Sequence, residues 1–309
     1  MIITVTMNPA IDKTVTIDRL CPGGLNRIKE VEYDAGGKGI NVSKTIKALG
    51  GESIATGFLG GNTGKNIEMI LDEKGICHDF VWVNGETRTN TKIVEENGSV
   101  TELNEPGPVI DDKQMDRLIR KILGYAKEGT LFVLSGSVPK GVDPMIYAHL
   151  ISLLHEKGAK VLLDADGELL KNGLSQSPDM IKPNRAELEK YAGLCRESSE
   201  ETLLNTARSM KGEDVKSVVV SMGVDGAVFL LDSYEARCPA LPVKPRSTVG
   251  AGDAMVAALA FSWEQKLTGE EAVRLCMAAS AGAVTTVGTK PPSRELVNEL
   301  KQQVIIKGV

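Results

Sequence analysis

One acid in this sequence stands where chemistry can be done with it. In the stretch Arg246-Ser-Thr-Val-Gly-Ala-Gly-Asp-Ala-Met-Val-Ala-Ala-Leu-Ala-Phe261, Asp253 follows Gly250, Ala251 and Gly252 and opens an apolar helical run. The first turn of a helix carries unpaired N–H donors and a partial positive charge, and small residues leave those donors accessible. Phosphate binds readily at such a turn. An acid at the same turn suits a site in which it faces an incoming hydroxyl beside a phosphoryl group. The plainer alternative makes Asp253 the helix N-cap after a glycine turn.

Other candidates follow the predicted strands, because open α/β sheets gather ligands beyond the carboxyl ends of their strands. These are Asp12, Gly136-Ser137, Asp164, Lys182-Pro-Asn-Arg-Ala-Glu187 and Ser221-Met-Gly-Val-Asp-Gly226. Asn184 and Glu187, three apart at a helix start, bring two oxygens to one point, which suits a Mg²⁺ ion that keeps most of its water. The same pair reads as a capping box, and both readings can hold together. Ser221-x-Gly-x-x-Gly226 either lines a nucleotide or merely turns the chain. In Ala35-Gly-Gly-Lys-Gly-Ile-Asn-Val-Ser43, Gly36 and Gly37 admit a ligand close to the backbone, while Lys38 and Asn41 bring a cation and an amide to the same spot. Glycine before a helix is also ordinary punctuation. Neither this loop nor Gly60-Gly-Asn-Thr-Gly-Lys-Asn66 has the spacing G-x-x-x-x-G-K-[ST], so a Walker-type NTPase is not expected. Asp164 and Asp166 have no visible role beyond capping their loop.

The elements that must position these residues alternate. Strands are expected at 2–7, 14–17, 26–33, 80–83, 88–95 and 100–103, with helices from the Gly36 loop to about residue 49 and at 66–74. Asn97-Gly98 is a hairpin signal, so 88–95 pairs with 100–103. Joined to the hairpin at 14–33, these segments make a small sheet, best explained as a lid over a site. From residue 111 helix and strand take turns: helices at 111–126, 144–156, 167–172, 185–192, 200–210, 250–265 and 270–287, and strands at 130–135, 160–164, 180–182 and 217–221. Strands at 226–231 and 238–243 are added as an antiparallel edge. The expected fold class is therefore α/β, a mostly parallel central sheet flanked by helices. No linker divides the chain, so a single domain over residues 1–309 is expected, its lid built from about 13–34 and 86–104.

With 309 residues, 42% hydrophobic and 25% charged, the chain can bury a large core. A net charge of −5 argues against a nucleic-acid partner. Cys21, Cys77, Cys195, Cys238 and Cys276 are scattered without a C-x-x-C pair, and read as reduced, mostly buried thiols. Met1 leads into Ile-Ile-Thr-Val-Thr without a basic segment, and the longest apolar run, 254–263, is too short to span a bilayer. No membrane partner and a cytoplasmic location are the expectations.

Taken together, Thr6-Met-Asn-Pro-Ala-Ile-Asp12, the Ala35–Ser43 loop, Gly85-Glu-Thr-Arg88, Leu134-Ser-Gly-Ser-Val-Pro139, Lys182-Pro-Asn-Arg-Ala-Glu-Leu188, Ser221-Met-Gly-x-x-Gly226 and Ser247-Thr-Val-Gly-Ala-Gly-Asp253 resemble the ribokinase-like PfkB carbohydrate kinases, most of all the bacterial 1-phosphofructokinases. The likeness runs along almost the whole chain. It implies a ribokinase-like fold with a β lid, and a homodimer through paired lids. It implies Asp253 as the base for the acceptor hydroxyl and Gly250, Ala251 and Gly252 as the anion hole for the transferred phosphoryl. Asp12, Gly36, Gly37, Asn41 and Ser137 would hold the sugar. Lys182, Asn184, Ser221, Gly223 and Gly226 would hold ATP, and Asn184 and Glu187 would position Mg²⁺ through water.

An acceptor that already bears a phosphate needs cations, for which Arg27, Lys38 and Arg88 are the candidates; the lesser alternative makes Arg27 and Arg88 solvated lid charges. The implied reaction is phosphorylation of fructose 1-phosphate at C6, with tagatose-6-phosphate kinase and 6-phosphofructokinase as alternatives. A silent sugar-phosphate-binding regulator is the alternative of a different class. A Rossmann oxidoreductase is excluded, because the Gly250 turn lacks the third glycine of G-x-G-x-x-G.

Overall fold

The computed structural model of the chain describes residues 1–212 and 215–308. It opens with β1 (Ile2–Thr6), followed by β2 (Ala10–Ile17), β3 (Glu30–Gly36) and helix α1 (Lys38–Ala48). Next come β4 (Ser53–Leu59), α2 (Gly61–Glu73), the short strands β5 (Cys77–His78) and β6 (Val81–Trp82), then β7 (Arg88–Glu95) and β8 (Val100–Asn104). The middle of the chain is α3 (Asp112–Tyr125), β9 (Leu131–Ser135), α4 (Ile146–Glu156), β10 (Lys160–Asp164), α5 (Gly167–Leu174), β11 (Met180–Ile181), α6 (Arg185–Tyr191) and α7 (Glu200–Met210). It closes with β12 (Ser217–Ser221), β13 (Ala227–Leu230), β14 (Glu235–Cys238), α8 (Ala251–Glu264), α9 (Gly269–Val284) and α10 (Arg294–Lys301).

The large sheet runs β14-β13-β12-β11-β10-β9-β1-β4-β5, with β6 also pairing β4. Its pairs are parallel except β12–β13 and β13–β14, which form the antiparallel edge. The strands are apolar runs because both faces are covered. Successive side chains point to opposite faces, so Ile2, Leu131, Val133 and Val219 join a core with α1, α8 and α9. Ile3, Val5, Phe132 and Val218 join the core under α3, α4 and α7 on the other side. The small sheet is separate, in the order β3-β2-β7-β8. It joins the two segments as their alternation predicts, β2 pairing antiparallel with β3 and parallel with β7.

Several expectations are corrected. β4, a central strand beside β1, carries no strand signal of its own, because Gly57 interrupts its apolar pattern. The glycine is required there. Its φ is +145°, and a Cβ at that position would lie 1.8 Å from the Thr6 carbonyl oxygen. Gly57→Ala is expected to destabilise the protein by about 3 kcal/mol or more and to lower Tm by about 6–12 °C; a wild-type melting temperature would contradict this reading of the strand.

Helix α2 begins at Gly61, not at residue 66. Its cap is non-local: the Glu86 carboxylate accepts from the backbone N–H groups of Asn62 and Thr63 at 3.2 and 3.1 Å. The last strand lies at Glu235–Cys238 rather than 238–243, α9 ends at Val284 rather than 287, and α10 was not expected. Of the cysteines only Cys238 and Cys276 are buried; Cys21, Cys77 and Cys195 are exposed. Among the described residues no helix is long and apolar enough to cross a membrane.

Candidate active site

The carboxyl edge of the large sheet carries a polar row. Val5 pairs with Leu134 and Ser135 with Asp164, so Thr6, Ser135 and Asp164 end three neighbouring strands, and Lys182 follows β11 beside them. Above this edge the chain reaches Gly250, whose left-handed backbone (φ 84°) starts α8 one residue later. Asp253 therefore lies in the first turn of α8, facing inward and only 8% exposed. It does not cap the helix, since Gly250 occupies that position without a side-chain bond. The amide of Asn41, on α1, donates to Asp253 Oδ2 at 2.8 Å.

Asp164 is the residue whose role the sequence leaves open. Its carboxylate is almost fully buried between two ammonium groups, Lys38 and Lys182, each 3.3 Å away. Burial alone would raise its pKa, but the charges of Lys182 and Lys38 outweigh it and hold the carboxyl below its ordinary range. Asp253 is moved the opposite way: burial and then the negative charge of Asp164 push it up, against Lys38, Asn41 and Lys182. Burial pulls Lys38 down, yet the carboxylates of Asp164, Asp253 and Glu187 more than offset that and keep it protonated. Two carboxylates of separated proton affinity thus act on each other electrostatically in one buried site.

Two cavities meet at Lys38. One, of about 230 Å³, is lined by Thr6, Asn8, Gly37, Lys38, Arg88, Ser135, Gly136, Ser137 and Asp166. Thr6 Oγ1, Asn8 Oδ1, Ser135 Oγ and Arg88 Nε around it are buried without a partner, as in a pocket shaped for a polar ligand. Arg88 is set in place by its other nitrogens, which donate to the carbonyls of Asn8 at 3.0 Å and Glu105 at 3.2 Å. The second cavity, of about 590 Å³, has a polar end at Lys182, Asn184, Glu187, Ser221, Gly223, Gly226, Ala251, Gly252 and Asp253. Its other end is apolar, walled by Leu241, Val243, Pro245, Met277, Ala281 and Val284. That wall combines residues of α9 with the segment after β14, and neither stretch carries a sequence motif.

Asn184 and Glu187 do form the reciprocal capping box of α6, at 2.8 and 2.9 Å, and both also line the larger cavity. Among the described residues no group of three or more His, Cys, Asp or Glu is arranged to hold a metal. Asn184 and Glu187 bring an amide oxygen and a carboxylate to the polar end of that cavity, donors of the kind a hydrated hard cation takes. Gly226 has φ +91°, and a Cβ there would meet the Cys238 carbonyl at 1.9 Å, so this glycine serves the turn as well as the cavity.

Two expected residues stand apart. Asp12 lines neither large cavity; its carboxylate packs against Gly36, where a Cβ would lie 2.6 Å from Asp12 Cγ, and is held by Asn90 and Lys92 at 3.3 Å each. Arg27 is exposed on the connection from β2 to β3 and lines neither cavity described above. The structure does not bring it to Lys38 and Arg88.

A buried acid in a helix turn, lining a large half-apolar cavity that meets a cation-bearing polar one at Lys38, is the arrangement of a phosphoryl-transfer enzyme on an α/β fold. The chain belongs to the pfkB family of carbohydrate kinases, which residues 5–296 match. It is 33% identical over 309 residues to the 1-phosphofructokinase of Vibrio cholerae, covering 100% of this chain and 97% of that protein. It is 35% identical over 307 residues to the 1-phosphofructokinase of Haloferax volcanii, covering 98% of each. The phosphofructokinase-2 of Escherichia coli in complex with substrates and products superposes with a TM-score of 0.93 at 29% identity, over 98% of both chains. The chain is thus a phosphotransferase whose acceptor is an alcohol group of a sugar phosphate.

Proposed function

We propose that the protein transfers the γ-phosphoryl group of ATP to the C6 hydroxyl of fructose 1-phosphate, giving fructose 1,6-bisphosphate and ADP. The observation that carries this is Lys38, whose side chain lines both cavities and pairs with Asp164 at 3.3 Å. A donor in the larger cavity and an acceptor in the smaller one would meet beside it. The apolar end of the larger cavity suits a base, and its polar end suits phosphates. Lys38 and Arg88 supply the smaller cavity with the two cations that a phosphorylated sugar needs, and the relatives of Vibrio cholerae and Haloferax volcanii are named 1-phosphofructokinase.

In this reading Asp253 takes the proton of the acceptor hydroxyl as its oxygen bonds to the γ-phosphorus and the bond to the ADP oxygen breaks. The N–H groups at Gly250, Ala251 and Gly252 receive the charge on the transferred group, and Lys182, whose Nζ would be 3.5 Å from a Cβ on Gly252, neutralises the phosphates nearby. Asn184 and Glu187 would hold Mg²⁺ through water, where it would supply further charge neutralisation. Gly36, Gly37, Asn41 and Ser137 frame the sugar, while Ser221, Gly223 and Gly226 border the nucleotide.

The test is ADP release with ATP and Mg²⁺ against fructose 1-phosphate, tagatose 6-phosphate, fructose 6-phosphate, fructose and ribose. A kcat/KM for fructose 1-phosphate at least about ten times the next best is expected, a margin of about 1.4 kcal/mol. Preference for tagatose 6-phosphate would keep the mechanism and change the acceptor; no turnover with any sugar would favour a regulator. Arg88→Ala removes a charge-assisted contact of about 1.5–3 kcal/mol, so KM for the phosphorylated sugar should rise roughly tenfold to a hundredfold with kcat little changed. An unmoved KM would remove Arg88 from the phosphate pocket.

We further propose that the chain works as one ribokinase-like unit in the cytoplasm, with the small sheet as its lid and as the contact in a homodimer. Leu25, Ile28, Val31, Tyr33, Val100 and Leu103 expose apolar surface on that sheet and its connection, more than an isolated lid needs. Val31→Asp with Leu103→Asp should convert a dimer to a monomer in sedimentation; a wild-type chain that sediments as a monomer at micromolar concentration would refute the dimer.

A further inference from the structure

Lys44 is a charged residue with no part in the site described above. It lies on the inner face of α1 with its side chain 1% exposed. Its three protons find three oxygens: Asp34 Oδ2 at 2.7 Å, the Ala35 carbonyl at 2.7 Å and Thr289 Oγ1 at 3.3 Å. A buried ammonium costs several kcal/mol unless it is fully paired, and a methionine would fill the same space. Packing alone does not call for a lysine here.

The partners belong to two distant parts of the fold. Asp34 and Ala35 are the root of lid strand β3, which runs directly into Gly36, Gly37 and Lys38. Thr289 lies in the loop after α9, and that loop backs the anion-hole turn: a Cβ on Gly250 would sit 3.5 Å from Thr289 Cα and 3.6 Å from its side chain. A second contact runs in parallel, from Lys290 in the same loop to Glu32 on β3 at 2.9 Å. That pair is half exposed on both sides and by itself weak. Lys44 is the buried link between the lid and the turn that receives the phosphoryl group.

We infer that Lys44 is a positioning residue that couples the lid strand to the Gly250 turn, so that the set of the anion hole depends on the placement of β3. The inference rests on the kinase reading of that turn, and it makes Thr289 the second half of the same device. The coupling needs a hydroxyl at position 289 and a charge at position 44; a purely structural role for Lys44 would need neither to reach the turn.

The experiment is hydrogen–deuterium exchange of the full-length protein without ligands, read at peptides covering residues 247–253 and 30–36, for wild type, Lys44→Met, Asp34→Asn, Thr289→Val and Thr289→Ser. Glu30→Ala, an exposed change on the same strand, is the control. Lys44→Met, Asp34→Asn and Thr289→Val should speed exchange at 247–253 at least about fivefold, while Thr289→Ser and Glu30→Ala leave it unchanged. Should Lys44→Met not fold, Asp34→Asn and Thr289→Val carry the test, since the first removes the charge that pairs with Lys44 and the second removes its bond to position 289. Wild-type exchange at 247–253 in Asp34→Asn and Thr289→Val would overturn the coupling. Turnover of fructose 1-phosphate by the wild type is measured alongside, and kcat of Thr289→Val should fall at least about tenfold with KM within threefold of the wild-type value. Absence of wild-type turnover would indict the acceptor, whereas exchange unmoved by the substitutions would indict the coupling.

Discussion

Asp253→Asn is expected to lower kcat by about 10²–10⁴-fold, the contribution of a positioned base, with KM for the acceptor changed little. Asparagine keeps the shape and can still accept from Asn41 through its own carbonyl oxygen, so the loss falls on proton transfer alone. The wild-type enzyme should show kcat rising with pH through an ionisation above the ordinary 3.8, because burial and Asp164 raise the proton affinity of Asp253. Below it the base is protonated and the rate falls. The variant should lack that limb.

Stability supplies an independent reading of the same substitution. A carboxyl whose folded-state pKa is raised binds its proton more tightly in the native protein, so it makes stability fall as pH rises from the unfolded value through the folded one. Above that window Asp253 is a buried charge held against its preference. Asp253→Asn should therefore melt at a higher temperature than wild type at neutral pH while being nearly inactive, the trade expected where a site is destabilised for function. Unchanged kcat would remove Asp253 from the role of base, and a lowered Tm would mean that its charge is a net stabiliser.

Asp164→Asn should be the most damaging single charge removal. It leaves Lys38 and Lys182 facing each other without the carboxylate that separates them. Breaking a buried pair costs about 3–5 kcal/mol, and the lower end applies because Lys38 remains partly exposed. The sign with pH is opposite to that of Asp253. The Asp164 carboxyl is held below its ordinary 3.8, so its stabilisation is present above that value and is lost as pH falls through the folded-state pKa. Acid unfolding of the variant should accordingly start from a lower plateau and be shallower. Its effect on catalysis reaches Asp253: one negative neighbour is gone and two positive ones remain, so the acid limb of kcat should move to lower pH. A limb that stayed in place, measured on protein shown to be folded by near-ultraviolet circular dichroism, would mean that Asp164 does not tune the base.

The parts of this site that were legible in the sequence are those in which cause and effect lie within one turn. Asn184 and Glu187 are three apart, and the capping box they suggest is formed. The small residues before Asp253 stand at the start of α8, as read from the sequence, with Gly250 left-handed at its N-cap. The apolar, β-branched strands and the helices between them follow from local periodicity, as does the hairpin at Asn97-Gly98, where β7 pairs antiparallel with β8. Arg27 shows the limit: its charge suits a phosphate, yet within this chain it lines neither cavity, and no local pattern records where a loop residue lies. The start of α2 was misplaced for a related reason, since its cap is the side chain of Glu86, from a different segment.

By itself the sequence determined the class of the fold, the two-segment small sheet and the candidate acid with its glycine turn, because periodicity, turn chemistry and helix capping act between residues a few positions apart. Only the tertiary structure decided what surrounds that acid. It set Asn41 against Asp253 across 212 positions of chain and placed Asp164 between lysines from two other segments. It also turned Arg88 into one cavity while leaving Arg27 outside. The electrostatics of a buried carboxylate depend on charges within a few ångströms, and which charges those are is settled by packing of remote strands and helices, not by neighbours in the chain.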